Sequence, residues 1–273
     1  GLEVSSTDVS RTAKLLEEEL GEWRSREIGE VPYLYLDARY EKIRHGGSVV
    51  PCAVLVAIGV REDGKRSILG VSVSLSEAEV HWRGFIESLQ SRGMHGVKVV
   101  TSDDYKGIRA ALAARLTGVL WQRCQCHLQR NAQVYVPKKH MSTAVADAIR
   151  GIFNASDMHE AEEKLSRMVE TYSKKAPTLA RWAEENIPEG LTVFRMLARH
   201  RHRLRTINCL ERLNEEIKRR TRVARLFPNE DSLLRLVSAI LSEISEEWET
   251  GRVYLNMKDA WPEETRIYRK DVA

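Results

Sequence analysis

Residues 33–74 constrain this chain more than any other stretch. Three runs rich in Val, Ile, Leu and Tyr (Tyr33–Arg44, Val49–Val60 and Arg66–Ser74) are separated by His45-Gly46-Gly47-Ser48 and by Glu62-Asp63-Gly64-Lys65. Glycine supplies the positive φ of a tight turn, so the breaks read as hairpins and the runs as a three-stranded antiparallel meander. Beyond it, Ser76 and Glu79 have the spacing of a capping box, and Trp82, Phe85, Ile86 and Leu89 recur at helical intervals up to Gly93. Val97–Thr101 is a short apolar strand that stops at Ser102-Asp103-Asp104, Tyr105–Arg115 is helical, and Gly118–Gln122 is another short strand. A meander followed by alternating helices and strands predicts an α/β chain with a mixed five-stranded sheet and helices on its faces. The strand count and order match an RNase H-like core.

From residue 124 the periodicity is helical, over about 124–136, 141–155, 158–175, 178–187, 207–222 and 231–249, punctuated by Pro137, Pro177, Pro188 and Pro228. Helices 124–200 form an all-α insertion between the sheet and helix 207–222. Ahead of the meander, residues 7–26 read as an amphipathic helix capped by Ser6 or Thr7, with Val9, Ala13, Leu15, Leu16 and Leu20 as its apolar stripe. The 273 residues, 42% hydrophobic and 30% charged, suffice for a substantial core and argue against disordered, collagen-like and disulfide-rich classes. No apolar run approaches the roughly 20 residues of a membrane span. The first residues, Gly1 to Arg11, show no signal peptide. Cys52, Cys124, Cys126 and Cys209 are too few and scattered for a disulfide framework. A reducing, cytoplasmic setting without a membrane partner is the expectation.

The formal net charge of +4 conceals an uneven distribution. Residues 195–225 hold eleven Lys and Arg (Arg195, Arg199, Arg201, Arg203, Arg205, Arg212, Lys218, Arg219, Arg220, Arg222 and Arg225) against Glu211, Glu215 and Glu216, a net of +8. The remainder carries −4. Such a segment concentrates positive potential where a polyanion docks. A solvated helix face, ion-paired to acidic helices, is the competing reading.

Two aspartates stand beside apolar strands. Asp37 interrupts the run that begins Tyr33-Leu34-Tyr35-Leu36, and Asp103 follows Val97–Thr101. If the two strands are neighbours, the carboxylates converge, and their repulsion favours a cation between them. Oxygen ligands suit Mg²⁺, with Mn²⁺ as the alternative. Turn formation, or capping of helix 105–115 by Asp103 or Asp104, is the plainer role. On helix 207–222, Leu210, Leu213 and Ile217 form the apolar face, while Glu211, Asn214, Glu215 and Lys218 lie on a flanking one. Glu211 is either an ion-pair partner of its basic neighbours or a metal ligand, and spacing leaves both open.

Four segments carry a resemblance. They are Tyr35-Leu36-Asp37-Ala38-Arg39-Tyr40; Thr101-Ser102-Asp103-Asp104-Tyr105-Lys106-Gly107; Trp121-Gln122-Arg123-Cys124-Gln125-Cys126-His127; and Thr206-Ile207-Asn208-Cys209-Leu210-Glu211-Arg212-Leu213-Asn214, followed by Lys218-Arg219-Arg220-Thr221 and Phe227-Pro228-Asn229. In this order they resemble the two aspartate motifs, the Q-R-C-x-x-H signature and the T-x-N-x-x-E-R-x-N helix of bacterial insertion-sequence transposases of the Mutator-like superfamily. The resemblance runs from about residue 5 to about residue 255. It implies an RNase H-like catalytic core in which Asp37, Asp103 and Glu211 bind two Mg²⁺ ions. The family's spacing to the glycine selects Asp103 over Asp104. The implied reaction is phosphoryl transfer on DNA, cutting an element end and joining it to target DNA. The implied partners are element ends and target DNA, bound by a homodimer, in the bacterial cytoplasm at the nucleoid. A nuclease that cuts without joining, and an inactive DNA-binding relative, are the alternatives.

The family's proteins carry a longer N-terminal helix-turn-helix region, of which Ser5 to Thr12 resembles the last part. The expected division is a remnant of that region over 1–30, a catalytic core over 31–123 and 201–250, the insertion over 124–200 and a tail over 251–273. The resemblance also places Cys124 and His127 near the catalytic site, where they orient it or contact DNA, with Asn208 in support. Packing for Cys124 and a helix cap for His127 are the alternatives, and Cys126 reads as core. Zinc is disfavoured, because C-x-C-H lacks the usual paired spacing. Arg123, Arg130, Lys138, Lys139 and His140 make a second basic patch, suited to phosphates or to solvent. Arg123, Arg130 and Lys138 of this patch, with Arg205, Arg212, Lys218, Arg219, Arg220 and Arg222, are the candidate DNA contacts. Trp182 is a candidate for stacking on a base, with packing between helices as the plainer role. Trp82, Trp121 and Trp248 read as core.

Overall fold

The computed structural model describes residues 5–258. Five strands form a sheet in the order β3-β2-β1-β4-β5: β1 (Tyr33–His45), β2 (Ser48–Val60), β3 (Arg66–Ser74), β4 (Val99–Ser102) and β5 (Leu120–Arg123). The first three are the expected meander, antiparallel, with Tyr33 opposite Val60 and His45 opposite Ser48. Gly46 and Gly47 make the first turn at φ 56° and 80°. β4 and β5 run parallel, with Val99 opposite Leu120. The sheet is therefore mixed, with helices flanking it.

The chain divides into two compact units. The first comprises residues up to 97, 105–117 and 210–256. It holds β1–β3 with α1 (Ser6–Ser25), α2 (Glu79–Ser91), α3 (Lys106–Arg115), most of α9 (Asn208–Thr221) and α10 (Glu230–Thr250). β2 is buried without interruption from Cys52 to Val60, as a strand covered on both faces must be. Trp82, Phe85, Ile86 and Leu89 of α2 and Leu233, Val237, Ile240 and Leu241 of α10 are buried, and both helices pack against β3.

Several local expectations change here. α2 starts at Glu79 behind Ala78, and no side chain caps it. Ser76 Oγ instead accepts from the Ala78 N–H at 3.4 Å, and Glu79 pairs with Arg83 at 3.2 Å. α1 begins at Ser6, so Thr7 lies inside the helix. Of its expected stripe, Leu20 is buried, but Leu15 and Leu16 are 58% and 39% exposed. The side chains of Ser6, Val9 and Ala13, and residues 1–4, lie outside the described residues. The expected tail is fixed over its first part. The N–H groups of Tyr254 and Leu255 donate to Gly64 O at 2.8 and 3.0 Å, and Leu255 is buried. Arg66 lies 4.1 and 4.3 Å from the ring centres of the half-buried Trp248 and of Tyr254. Residues 259–273 lie outside the described residues.

The second unit comprises, of the described residues, 98–104, 118–209, 257 and 258. It holds β4, β5, α4 (Gln125–Ala132), α5 (Ser142–Phe153), α6 (Met158–Ser173), α7 (Pro177–Asn186) and α8 (Ala198–Leu204). Its helices enclose their own core, including Leu128, Ile149, Ile152, Leu165, Leu179 and Ile187. α8 and the 3-10 turns at Ile187–Gly190 and Thr192–Arg195 carry no sequence periodicity. Tertiary contacts hold them: His200 and Leu204 are buried, and Gly190 O accepts from the side-chain amides of Gln122 at 2.9 Å and Gln125 at 2.8 Å.

Candidate active site

In the first unit, β1 changes character at Asp37. Tyr33–Leu36 are fully buried, and Asp37, Ala38 and Arg39 are half-buried. Residues 37, 39 and 41 share a strand face, and α9 is tied to all three. Asn214 Nδ2 donates to Asp37 Oδ2 at 2.8 Å. Arg39 Nη1 donates to the Asn214 carbonyl, and its Nη2 donates to Glu41 Oε1 at 2.5 Å. The Thr221 hydroxyl donates to the same Glu41 oxygen at 3.0 Å. Asn214 and Thr221 are seven residues apart and so share a helix face, while Leu210, Leu213 and Ile217 are buried as expected. Glu211 stands one turn before Asn214, half-buried. These ties fix the register between the strand that carries Asp37 and the helix that carries Glu211. Asn214 is the residue whose role sequence reasoning missed, although it closes the fourth motif three residues after Glu211.

In the second unit, the end of β4 is held from several sides. Thr101 Oγ1 donates to Leu204 O at 2.8 Å, and the Cys124 N–H donates to Ser102 O at 2.8 Å. The Trp121 indole N–H donates to Ser102 Oγ at 2.9 Å, so this half-buried ring is not the core residue expected. Ser102 Oγ donates in turn to Asp103 O at 2.8 Å. Neither aspartate caps α3, whose N-cap is Tyr105 without a side-chain bond. Asp104 pairs with Arg123 at 3.1 Å. Arg123 also reaches Glu189 Oε2 at 2.8 Å and Asn186 Oδ1 at 2.9 Å, and it is 4% exposed. This corrects its place in an exposed phosphate patch, because its charge is spent inside the unit. Arg130 and Lys138 are exposed, as a surface role requires. Trp182 is 7% exposed and stacks on Tyr135 with ring centres 5.5 Å apart, the packing arrangement rather than a free stacking platform.

Most of the third motif is buried. Gln122, Arg123, Cys124 and Gln125 are all buried, and the Gln122 side chain also accepts from the Val193 N–H at 2.8 Å. Cys124 packs at the N-cap of α4, and His127 sits inside that helix. A hydrogen bond with Cys126, then burial, push the Cys124 thiol up, so it is not a thiolate at neutral pH. Cys126 is half-buried rather than core, and its thiol donates to Asn208 Oδ1 at 3.4 Å. Among the described residues, no three His, Cys, Asp or Glu side chains are gathered to hold a metal ion. In kind, the carboxylate oxygens of Asp37 and Glu211 are the hard donors that Mg²⁺ and Mn²⁺ take. Asn214 Oδ1, buried without a hydrogen-bond donor, is a further oxygen of this sort in the same unit.

The basic segment is partly paired. Glu216 takes Arg219 at 2.6 Å and Arg220 at 2.8 Å, and Arg220 also reaches Glu243 at 2.6 Å. Hydrogen bonds from Arg219 and Arg220 hold the Glu216 carboxyl down at about 2. Arg205 is held by Asn154 Oδ1 at 2.8 Å and Phe153 O at 3.4 Å. Arg212, Lys218, Arg219 and Arg222 are exposed.

The family described as "Transposase, Mutator family" matches residues 1–251. The chain is 54% identical over 255 residues to the transposase of insertion sequence IS406 from Burkholderia multivorans, covering 93% of this chain and 66% of that protein. It is 41% identical over 256 residues to the ISRM5 transposase of Rhizobium meliloti (93% and 64%). With the IS256 transposase of Tn4001 from Staphylococcus aureus it shares 35% over 265 residues (94% and 66%). The chain thus spans about two thirds of the length of these relatives. It belongs to the Mutator family of transposases.

Proposed function

We propose that this chain is the catalytic part of an insertion-sequence transposase, with an RNase H-like core interrupted by a helical insertion, acting by phosphoryl transfer on DNA. Asp37, Asp103 and Glu211 would hold two divalent ions, Mg²⁺ or Mn²⁺. The observation that carries the reading is the tie between Asp37 and Asn214, one turn from Glu211, in a member of the transposase family. The strand order β3-β2-β1-β4-β5, with an antiparallel meander and a parallel pair, supports the core assignment. Bound there, the ions would help activate an attacking oxygen and stabilise a leaving one.

The chain's own residues do the positioning. The three carboxylates bind, and the exposed Arg212, Lys218 and Arg222 neutralise DNA phosphates. Arg219 does so by exchanging Glu216 for phosphate. Water would first free a 3′-hydroxyl at the element end, and that hydroxyl would then displace a target 3′-oxygen, with no covalent protein intermediate. Element ends and target DNA are the proposed partners, brought together by two copies of the protein. No helix among the described residues is long and apolar enough to cross a membrane. The proposed setting is the cytoplasm, at the nucleoid.

A strand-transfer assay with a pre-cleaved element end, target DNA and Mg²⁺ tests the reading. Joined product is expected. Cutting without joining would favour a nuclease, and binding alone a catalytically silent DNA-binding protein.

A further inference from the structure

Asn214 is the polar side chain that the proposed reaction leaves without a task. Its amide can face the Asp37 carboxylate in one orientation only, because a carbonyl oxygen would be repelled there. Nδ2 accordingly donates to Asp37 Oδ2 at 2.8 Å. That orientation leaves Oδ1 buried with no hydrogen-bond donor, an arrangement that folding alone disfavours. The backbone of the residue is held as well. Arg39 donates to its carbonyl, and Glu41 holds Arg39 while accepting from Thr221 further along the same helix. A simple strut between α9 and β1 needs only one such tie, and the Thr221 bond already supplies it.

We propose that Asn214 is a positioning residue for the metal site. One hydrogen bond sets the Asp37 carboxylate in the orientation that receives a divalent cation, and Oδ1 remains a neutral oxygen for the ion or its water shell. The inference rests on the reading that Asp37 is a metal-holding carboxylate. Partners of this kind, standing behind a metal ligand, typically change metal affinity by about tenfold to a hundredfold when removed.

Mn²⁺ binding to the 273-residue chain without DNA tests this. The readout is the loss of the free-ion paramagnetic resonance signal on titration. Wild type is compared with Asp37→Asn, Asn214→Leu and Asn214→Thr. Leucine keeps the branched outline without polar atoms but is larger, and threonine, close to asparagine in volume, serves if the leucine variant does not fold. The expected result is Mn²⁺ binding weakened about tenfold to a hundredfold in the Asn214 variants. A strut alone would lower the thermal midpoint in metal-free buffer and leave Mn²⁺ affinity unchanged, and that result overturns the proposal. Asp37→Asn separates the two claims. Unchanged affinity in that variant means the metal reading of Asp37 has failed, and the positioning role with it. Affinity lost in Asp37→Asn but kept in the Asn214 variants means that only the positioning role has failed.

Discussion

Asp103 and Asp104 are adjacent in sequence and differ in their surroundings. Asp104 is committed to Arg123, while Asp103 follows Ser102, whose backbone and hydroxyl are both tied down. Asp103→Ala is therefore expected to abolish cutting and joining while leaving DNA affinity within about twofold, because removing a metal ligand spares the phosphate contacts that dominate affinity. Full activity in that variant would contradict the assignment. Arg123→Met should act on stability instead. It leaves Asp104, Glu189 and Asn186 without their shared donor, at a cost of about 3 kcal/mol, read by chemical denaturation. The aspartates were legible in the sequence because each stands beside an apolar run. Arg123 and Asn214 were not. Asn186 and Glu189 lie 63 and 66 residues from Arg123, and Asp37 lies 177 from Asn214, and no local pattern reports such pairings.

Among the elements, α9 combines the candidate Glu211 with the exposed cations Arg212, Lys218 and Arg219. Neutralising Lys218, Arg219 and Arg220 together is expected to weaken binding to any DNA sequence and to flatten the salt dependence by roughly one for each phosphate left without its cation. Arg220 already divides its charge between Glu216 and Glu243, so Lys218→Ala should flatten the slope more than Arg220→Ala. Equal slopes would remove α9 from the phosphate path. Acid should also loosen the Glu216 pairs. The Glu216 carboxyl is depressed to about 2 in the folded state, so its contribution is complete above its ordinary value of 4.5 and is lost as pH falls through about 2. A Glu216→Gln variant should therefore lose less stability than wild type across that window in acid melts. The meander and the helices with apolar stripes were legible, since periods of two and 3.6 residues are imposed by burial. The start of α2 and the whole of α8 were not, because packing partners rather than local capping or periodicity fix them.

For the whole molecule, the net charge of +4 divides into a mildly acidic body and one basic segment of 31 residues, whose far half lies on and just beyond α9. The predicted sheet is present in strand count and order. The chain's later reach is longer than predicted, since Tyr254 and Leu255 close over the β2–β3 turn. Gly64 permits that closure. Its φ is +80°, and an added Cβ would stand 1.9 Å from Leu255 O. Gly64→Ala should cost more than about 1 kcal/mol and lower the thermal midpoint, and an unchanged midpoint would show that residues 253–256 contribute little to the fold. Asp37, Asp103 and Glu211 are proposed to share one metal site. Replacing Mg²⁺ by Fe²⁺ and mapping where the bound ion's hydroxyl radicals cut the backbone tests it most directly. Cuts clustered near residues 37, 103 and 211, all lost in Asp103→Ala, are expected; cuts elsewhere, or a pattern indifferent to Asp103→Ala, would contradict it.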